Sequence, residues 1–82
     1  MATPLFTPKE IRVSSSQSGE PASVVTNGRL RRVVKVRNTW RVDDEWWREE
    51  ISRLYFELEL ESGLVTTVFH DLVSGRWYQQ KV

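Results

Sequence analysis

The single histidine, His70, is followed at once by Asp71, the residue types of a general base and of the carboxylate that orients it. Strand neighbours point to opposite faces, so in a strand Asp71 could not hold that imidazole as a catalytic triad requires. Glu57 and Glu59 would share a strand face and imitate a catalytic carboxylate pair, but cations are expected beside them and no cleft is implied. The glycines each fall in a turn or loop and form no phosphate-cradling run. With no cysteine and one histidine, thiolate sites and paired-imidazole zinc or copper sites are excluded. No catalytic residue, metal or cofactor is expected, and binding is the chemistry left.

Two groups could bind. The stretch RLRRVVKVRNTWRV, Arg29 to Val42, carries six basic residues and no acidic one. If the strand alternates regularly, Arg29, Arg31, Lys35, Arg37 and Arg41 line one face over roughly 27–40 Å, the reach of several phosphates. The acidic stretch DDEWWREE follows directly, and net charge over the whole chain is only +1. A basic block beside an acidic one suggests internal pairing as readily as an anionic partner. Set against the strand Ile51–Glu61, Lys35 and Arg37 would meet Glu57 and Glu59, leaving Arg29, Arg31 and Arg32 near the hairpin turn as the uncompensated cations. The second group is the tryptophans. Trp40 and Trp77 read as core or sheet-face residues, while adjacent Trp46 and Trp47 cannot both point inward, so one of them is a surface-contact candidate for stacked bases or a partner.

The elements that must position these groups are strands. Residues 1–9, with Pro4 and Pro8, read as an extended lead-in with Leu5 and Phe6 tucked onto the core, and 10–82 as one β domain. Ile11 and Val13 alternate with Arg12 in a first short strand over Glu10 to Ser14, and the polar run Ser14 to Pro21 is a loop. Ala22 to Thr26, then Asn27-Gly28, then Arg29 onward is a hairpin signature, because Asn and Gly accept the positive φ of a type I′ turn. The outgoing strand is too long to run straight, so a bend or bulge is expected near Asn38. Asp43 to Glu50 breaks the alternation and reads as a connection, with Trp46 or Trp47 folded back as a lid. Ile51 to Glu61 is the clearest strand, with Leu54, Phe56, Leu58 and Leu60 on one face. A two-residue turn at Ser62-Gly63 would set Leu60 opposite Val65 and Phe56 opposite Phe69. A last strand runs from Arg76 to Val82.

Together these predict an all-β fold: a small antiparallel meander of five to six strands curled into a half-open, SH3-like barrel with no substantial helix. A face-to-face dimer is the alternative way to bury the sheet. Eighty-two residues make one small core, in which most apolar strand positions are needed structurally. The start MATPLFTPKE lacks a basic region followed by an apolar run, and no long uncharged apolar stretch follows, so a cytoplasmic protein with no membrane contact is expected.

Residues 21–82 also resemble a family of short bacterial proteins classed only as a domain of unknown function. The matching residues are Trp40-Arg41, Trp46-Trp47, Arg53 with Tyr55-Phe56, and Asp71-Leu72 through Ser74-Gly75-Arg76-Trp77-Tyr78. Members are often encoded near Y-family translesion DNA polymerases. The resemblance implies a role in DNA repair or damage-tolerant synthesis, and it implies no active site. The expectation is a non-enzymatic binding or adaptor domain contacting DNA or a repair protein through Arg29, Arg31 and Arg32 plus Trp46 or Trp47. Its alternative is a protein-interaction or homo-oligomerisation module with no nucleic-acid role.

Overall fold

The computed structural model describes residues 8–46 and 49–80, and every regular element among them is a strand. In chain order these are β1 (Lys9–Ser15), β2 (Pro21–Thr26), β3 (Arg29–Trp46), β4 (Glu49–Leu60), β5 (Val65–Asp71) and β6 (Trp77–Gln79). Each pairs antiparallel with the next, and β1 pairs with β6 through Lys9↔Gln79, Glu10↔Tyr78 and Ile11↔Trp77. The meander therefore closes fully, and closure removes the edges that a half-open sheet would leave on its first and last strands.

The β2–β3 hairpin forms for the reason its sequence announces. Asn27 and Gly28 have φ of 50° and 75°, the left-handed pair a type I′ turn demands, and Thr26 pairs directly with Arg29. The β4–β5 turn differs from the two-residue expectation. The Leu60 amide donates to the Leu64 carbonyl at 2.9 Å, so the loop is Glu61-Ser62-Gly63, with Gly63 at φ 88° in the left-handed position that ends a three-residue hairpin loop. Glu59 then faces Val65, Leu58 faces Thr66 and Phe56 faces Val68, a shift of one residue from the expected register. Because side chains alternate, that single step turns Val68 into the barrel and Phe69 onto its outer wall.

The even-odd reading of β3 fails for a related reason. Two bulges interrupt its pairing with β4, at Val34, between Val33↔Leu60 and Lys35↔Glu59, and at Arg37, between Val36↔Leu58 and Asn38↔Glu57. One bulge was expected near Asn38, and the second lies three residues earlier. Each adds a residue that has no partner and resets the alternation. The inward residues are thus Val33, then Val36, then Thr39 and Arg41, opposite Leu60, Leu58, Phe56 and Leu54. Val34, expected on the apolar face, is 58% exposed. The cations consequently do not form one continuous stripe.

Among the described residues of the expected connection from Asp43 to Glu50, the backbone is strand instead. Asp43, Asp44, Glu45 and Trp46 continue β3 and pair with Ser52, Ile51, Glu50 and Glu49, so the two strands run on as an arm. Strand β2 pairs with β3 only from Arg29 to Arg32. From Val33 to Trp46 the side of β3 away from β4 has no strand partner among the described residues.

The core is small. Ile11, Val24, Phe56, Leu58, Leu60 and Val68 form it, with Val13, Val33, Val36, Leu54 and Trp77 packed around. Removing a large apolar side chain from water contributes about 1.5–3 kcal/mol. No helix among the described residues is long and apolar enough to cross a membrane. The expected lead-in Leu5 and Phe6 lie outside the described residues.

Candidate functional site

Cations sort by whether an acid answers them. Arg37 Nε lies 3.9 Å from Glu57, Arg41 Nε donates to Asp43 at 2.7 Å, and Arg76 reaches Glu10 at 4.0 Å. Lys35 stands opposite Glu59 in the register. Arg53 lies over the Phe69 ring, 4.7 Å from its centroid. Lys35, Lys9, Arg12, Arg29, Arg31 and Arg32 form no side-chain ion pair among the described residues, although the Glu61 carboxylate accepts the Arg32 backbone amide at 3.4 Å; apart from Lys35 these cations lie together.

Lys9, Arg12, Arg29, Arg31 and Arg32 belong to the β1–β2–β3 corner. Arg12, Val25 and Leu30 are successive register partners on the outer wall, and Leu30 is 62% exposed between the flanking arginines. Arg31 pairs with fully buried Val24 and is half-buried at the inner face, whereas Arg29 and Arg32 are exposed. Lys9 Nζ donates to the Asn27 side-chain oxygen, which brings β1 against the hairpin turn. Lys9, Arg12, Asn27 and Gly28 help line an open depression of about 610 Å³ here. Sequence spacing alone singles out Arg29, Arg31 and Arg32. Lys9 and Arg12 join them only through the β1–β2 pairing, which a short alternating strand does not reveal. Trp47 lies outside the described residues, and of Trp46 only the backbone, at the end of β3, is described.

The outer wall of β3–β6 carries a second arrangement that residue spacing does not announce. Trp40, Tyr55, Phe69 and Tyr78 are register partners in a row across four strands. Their ring centroids are spaced 5.3, 5.0 and 5.2 Å, with interplanar angles of 6°, 36° and 22°. Flanked on both sides by rings and covered by the Arg53 guanidinium, Phe69 is 2% exposed although it points away from the barrel axis. The ring faces are turned on one another, so the row packs as a strap rather than offering slots between rings to bases. The one-residue register shift at Gly63 is what makes it.

The inner face of the barrel opens at the β1–β2 loop into a recess of about 450 Å³ lined by Thr39, Leu54, Phe56, His70 and Trp77. His70 stacks on Trp77, centroids 4.3 Å apart and planes 1° apart. Asp71 faces the other way. Its Oδ1 accepts the amides of Val73 at 2.9 Å and Ser74 at 3.3 Å, ordering the β5–β6 turn, and it stands opposite Arg53.

On the arm, Asp43 accepts the Ser52 hydroxyl and Arg41 Nε, each at 2.7 Å. Those donors, the Ser52 hydroxyl first and Arg41 second, hold its carboxyl below the ordinary value against a small desolvation cost. Among the described residues no cluster of three or more His, Asp and Glu could hold a metal.

Fold and site together define a class: a small closed antiparallel β-barrel with a basic corner at one hairpin and an arm on which β3, among the described residues, pairs with β4 alone. A scan against protein-family models and searches of curated proteins and solved structures find nothing that matches the chain.

Proposed function

We propose that this barrel is a small non-enzymatic binding module of the cytoplasm, contacting the phosphate backbone of DNA through its basic corner as an accessory factor in repair or damage-tolerant synthesis. The observation that carries the reading is the segregation of charge. Arg37, Arg41 and Arg76 meet acids and Arg53 meets an aromatic ring, while Lys9, Arg12, Arg29, Arg31 and Arg32 gather at one corner with no side-chain ion pair among the described residues. Uncompensated cations on a rigid hairpin release counterions from a polyanion, and this term dominates non-specific nucleic-acid affinity. The repair context rests on the resemblance of residues 21–82 to short bacterial proteins that are often encoded near Y-family translesion polymerases.

Fluorescence anisotropy on labelled single-stranded DNA tests it. Five phosphate contacts give a slope of log K against log salt of about −3.5, and hence a loss of roughly a hundredfold between about 50 and 200 mM salt. Replacing Arg29, Arg31 and Arg32 by Glu removes most of that slope and the binding with it. Wild-type protein that binds no DNA at low salt sinks the proposal. The arm, where β3 pairs among the described residues with β4 alone, favours a second reading, an interaction or oligomerisation module with no nucleic-acid role.

A further inference from the structure

The barrel has an opening away from the basic corner. The β1–β2 loop lies at the other end of β2 from Asn27-Gly28, and there it walls the recess of about 450 Å³ on the inner face. The loop holds its own shape. The Ser16 amide donates to the Glu20 carbonyl at 2.7 Å, the Gly19 amide donates to the Ser16 carbonyl at 3.0 Å, and Gly19 takes a left-handed φ of 88° that suits the tight return. The facing wall is fixed by ring packing, with Trp77 stacked on His70 and its centroid 5.7 Å from that of Phe56. A preformed recess spares a ligand the cost of ordering its site. Small-molecule sites occupy about 300–1,000 Å³ and are found in the mouths of barrels, so this one suits a small ligand.

The lining residues select the chemistry of that ligand. Leu54, Phe56 and Trp77 offer apolar surface. Among the described residues no Lys or Arg lines the recess, and its one acid, Glu20, forms no side-chain ion pair. The imidazole nitrogens of His70 take no hydrogen bond among the described residues and are not sealed from solvent, so they are open to a ligand. Thr39 adds a hydroxyl. An ammonium group brings three donors and no acceptor, and a carboxylate, a hydroxyl and a neutral imidazole can each accept from it. An anion would meet repulsion from Glu20 with no cation in the lining to offset it.

We propose that the recess between the β1–β2 loop and the His70–Trp77 pair binds a small free amine, cationic at its head and apolar in its body, with Glu20 answering the charge. The site lies apart from the DNA contact and does not depend on it. An NMR titration at low salt tests it, with phenethylamine as the probe. His70 is the only histidine in the chain, so its imidazole C–H signals identify themselves. These signals and the Trp77 indole N–H are expected to shift saturably. Phenethyl alcohol, with the same body and no charge, binds about two- to fivefold more weakly, the factor that one exposed ion pair supplies, and phenylacetate more weakly still. Glu20 lies on an exposed loop, so Glu20→Gln keeps the fold. That variant erases the difference between amine and alcohol and leaves the alcohol's own affinity unchanged. Nα-acetyl-lysine amide, standing for the side chain of a partner protein, binds more weakly than phenethylamine because its stem fills less of the apolar wall. The proposal is overturned by phenethylamine that shifts neither His70 nor Trp77 saturably, or by amine and alcohol that bind the wild type equally. A difference between them that survives Glu20→Gln overturns it as well, as does tighter binding of the lysine derivative.

Discussion

Replacing Phe69 by Ala tests whether an outer-wall residue can carry core energetics. Phe69 points away from the barrel axis, and an outward strand residue ordinarily tolerates substitution within about 0.5 kcal/mol. It is nevertheless 2% exposed, because Tyr55 and Tyr78 stand 5.0 and 5.2 Å from it and Arg53 covers its face at 4.7 Å. Burying the ring accounts for about 1.5–3 kcal/mol. Each neighbouring ring adds about 0.5–1.5 kcal/mol, and the guanidinium about 0.5–1 kcal/mol. Together these reach about 3–7 kcal/mol, and the lower part of that range, about 3–5 kcal/mol, is the cost found for truncating a buried phenylalanine and the cost expected of Phe69→Ala. That matches the expectation for Phe56→Ala inside the barrel. In a domain of this size each kcal/mol moves the melting temperature by about 4–8 °C, so a fall of at least about 12 °C is expected. Thermal and urea unfolding followed by circular dichroism measure both variants side by side. A Phe69→Ala cost below about 1 kcal/mol, with Phe56→Ala costing several, would refute the strap and return the row to ordinary surface.

Two further predictions separate positions that look alike in the sequence. Val34 sits on a bulge and is exposed, so Val34→Lys should change stability by less than about 0.5 kcal/mol, whereas Val36→Asp, two residues on and facing Leu58, should cost roughly 2–4 kcal/mol by urea unfolding. Equal costs would put the bulge elsewhere. The Asp43 carboxyl titrates below its ordinary 3.8, so its contribution to stability is fully present above that value and is lost as pH falls through the lower folded-state value. A carboxyl NMR titration should show this depressed midpoint in the wild type and a return toward 3.8 in Ser52→Ala, larger than the return in Arg41→Lys. A wild-type midpoint at or above 3.8 contradicts the arrangement.

The strand content and the Asn27-Gly28 hairpin were legible because each rests on local chemistry, alternation in one case and left-handed backbone in the other. The Lys35–Glu59 and Arg37–Glu57 juxtapositions were legible too, since strand pairing across one connection determines them. Register was not. Glu61, Ser62 and Gly63 can end a hairpin as two or as three residues, and the difference of one residue decides whether Phe69 or Val68 enters the core. In β3 the obstacle is Val34 and Arg37. Omit those two residues and Arg31 to Asp43 alternates cleanly between inner and outer faces, but nothing in their identities marks them as the extra ones. The acidic stretch after Val42 has poor strand propensity, and the arm forms there because β4 supplies a partner all the way to Glu49. The basic corner was half legible: Arg29, Arg31 and Arg32 lie together in the chain, whereas Lys9 and Arg12 arrive from β1 through tertiary pairing.

The β1–β6 ladder has a topological consequence. With Lys9 opposite Gln79, the six strands form a ring with no first and no last member, and each strand touches the same two neighbours wherever the chain is cut. A short linker joining the two ends of the ring, with new ends opened in the Glu61–Gly63 loop, would preserve every ladder. It would also turn β4 and β5 into the terminal strands, so that the chain's order of synthesis could be altered while its neighbour relations stayed the same.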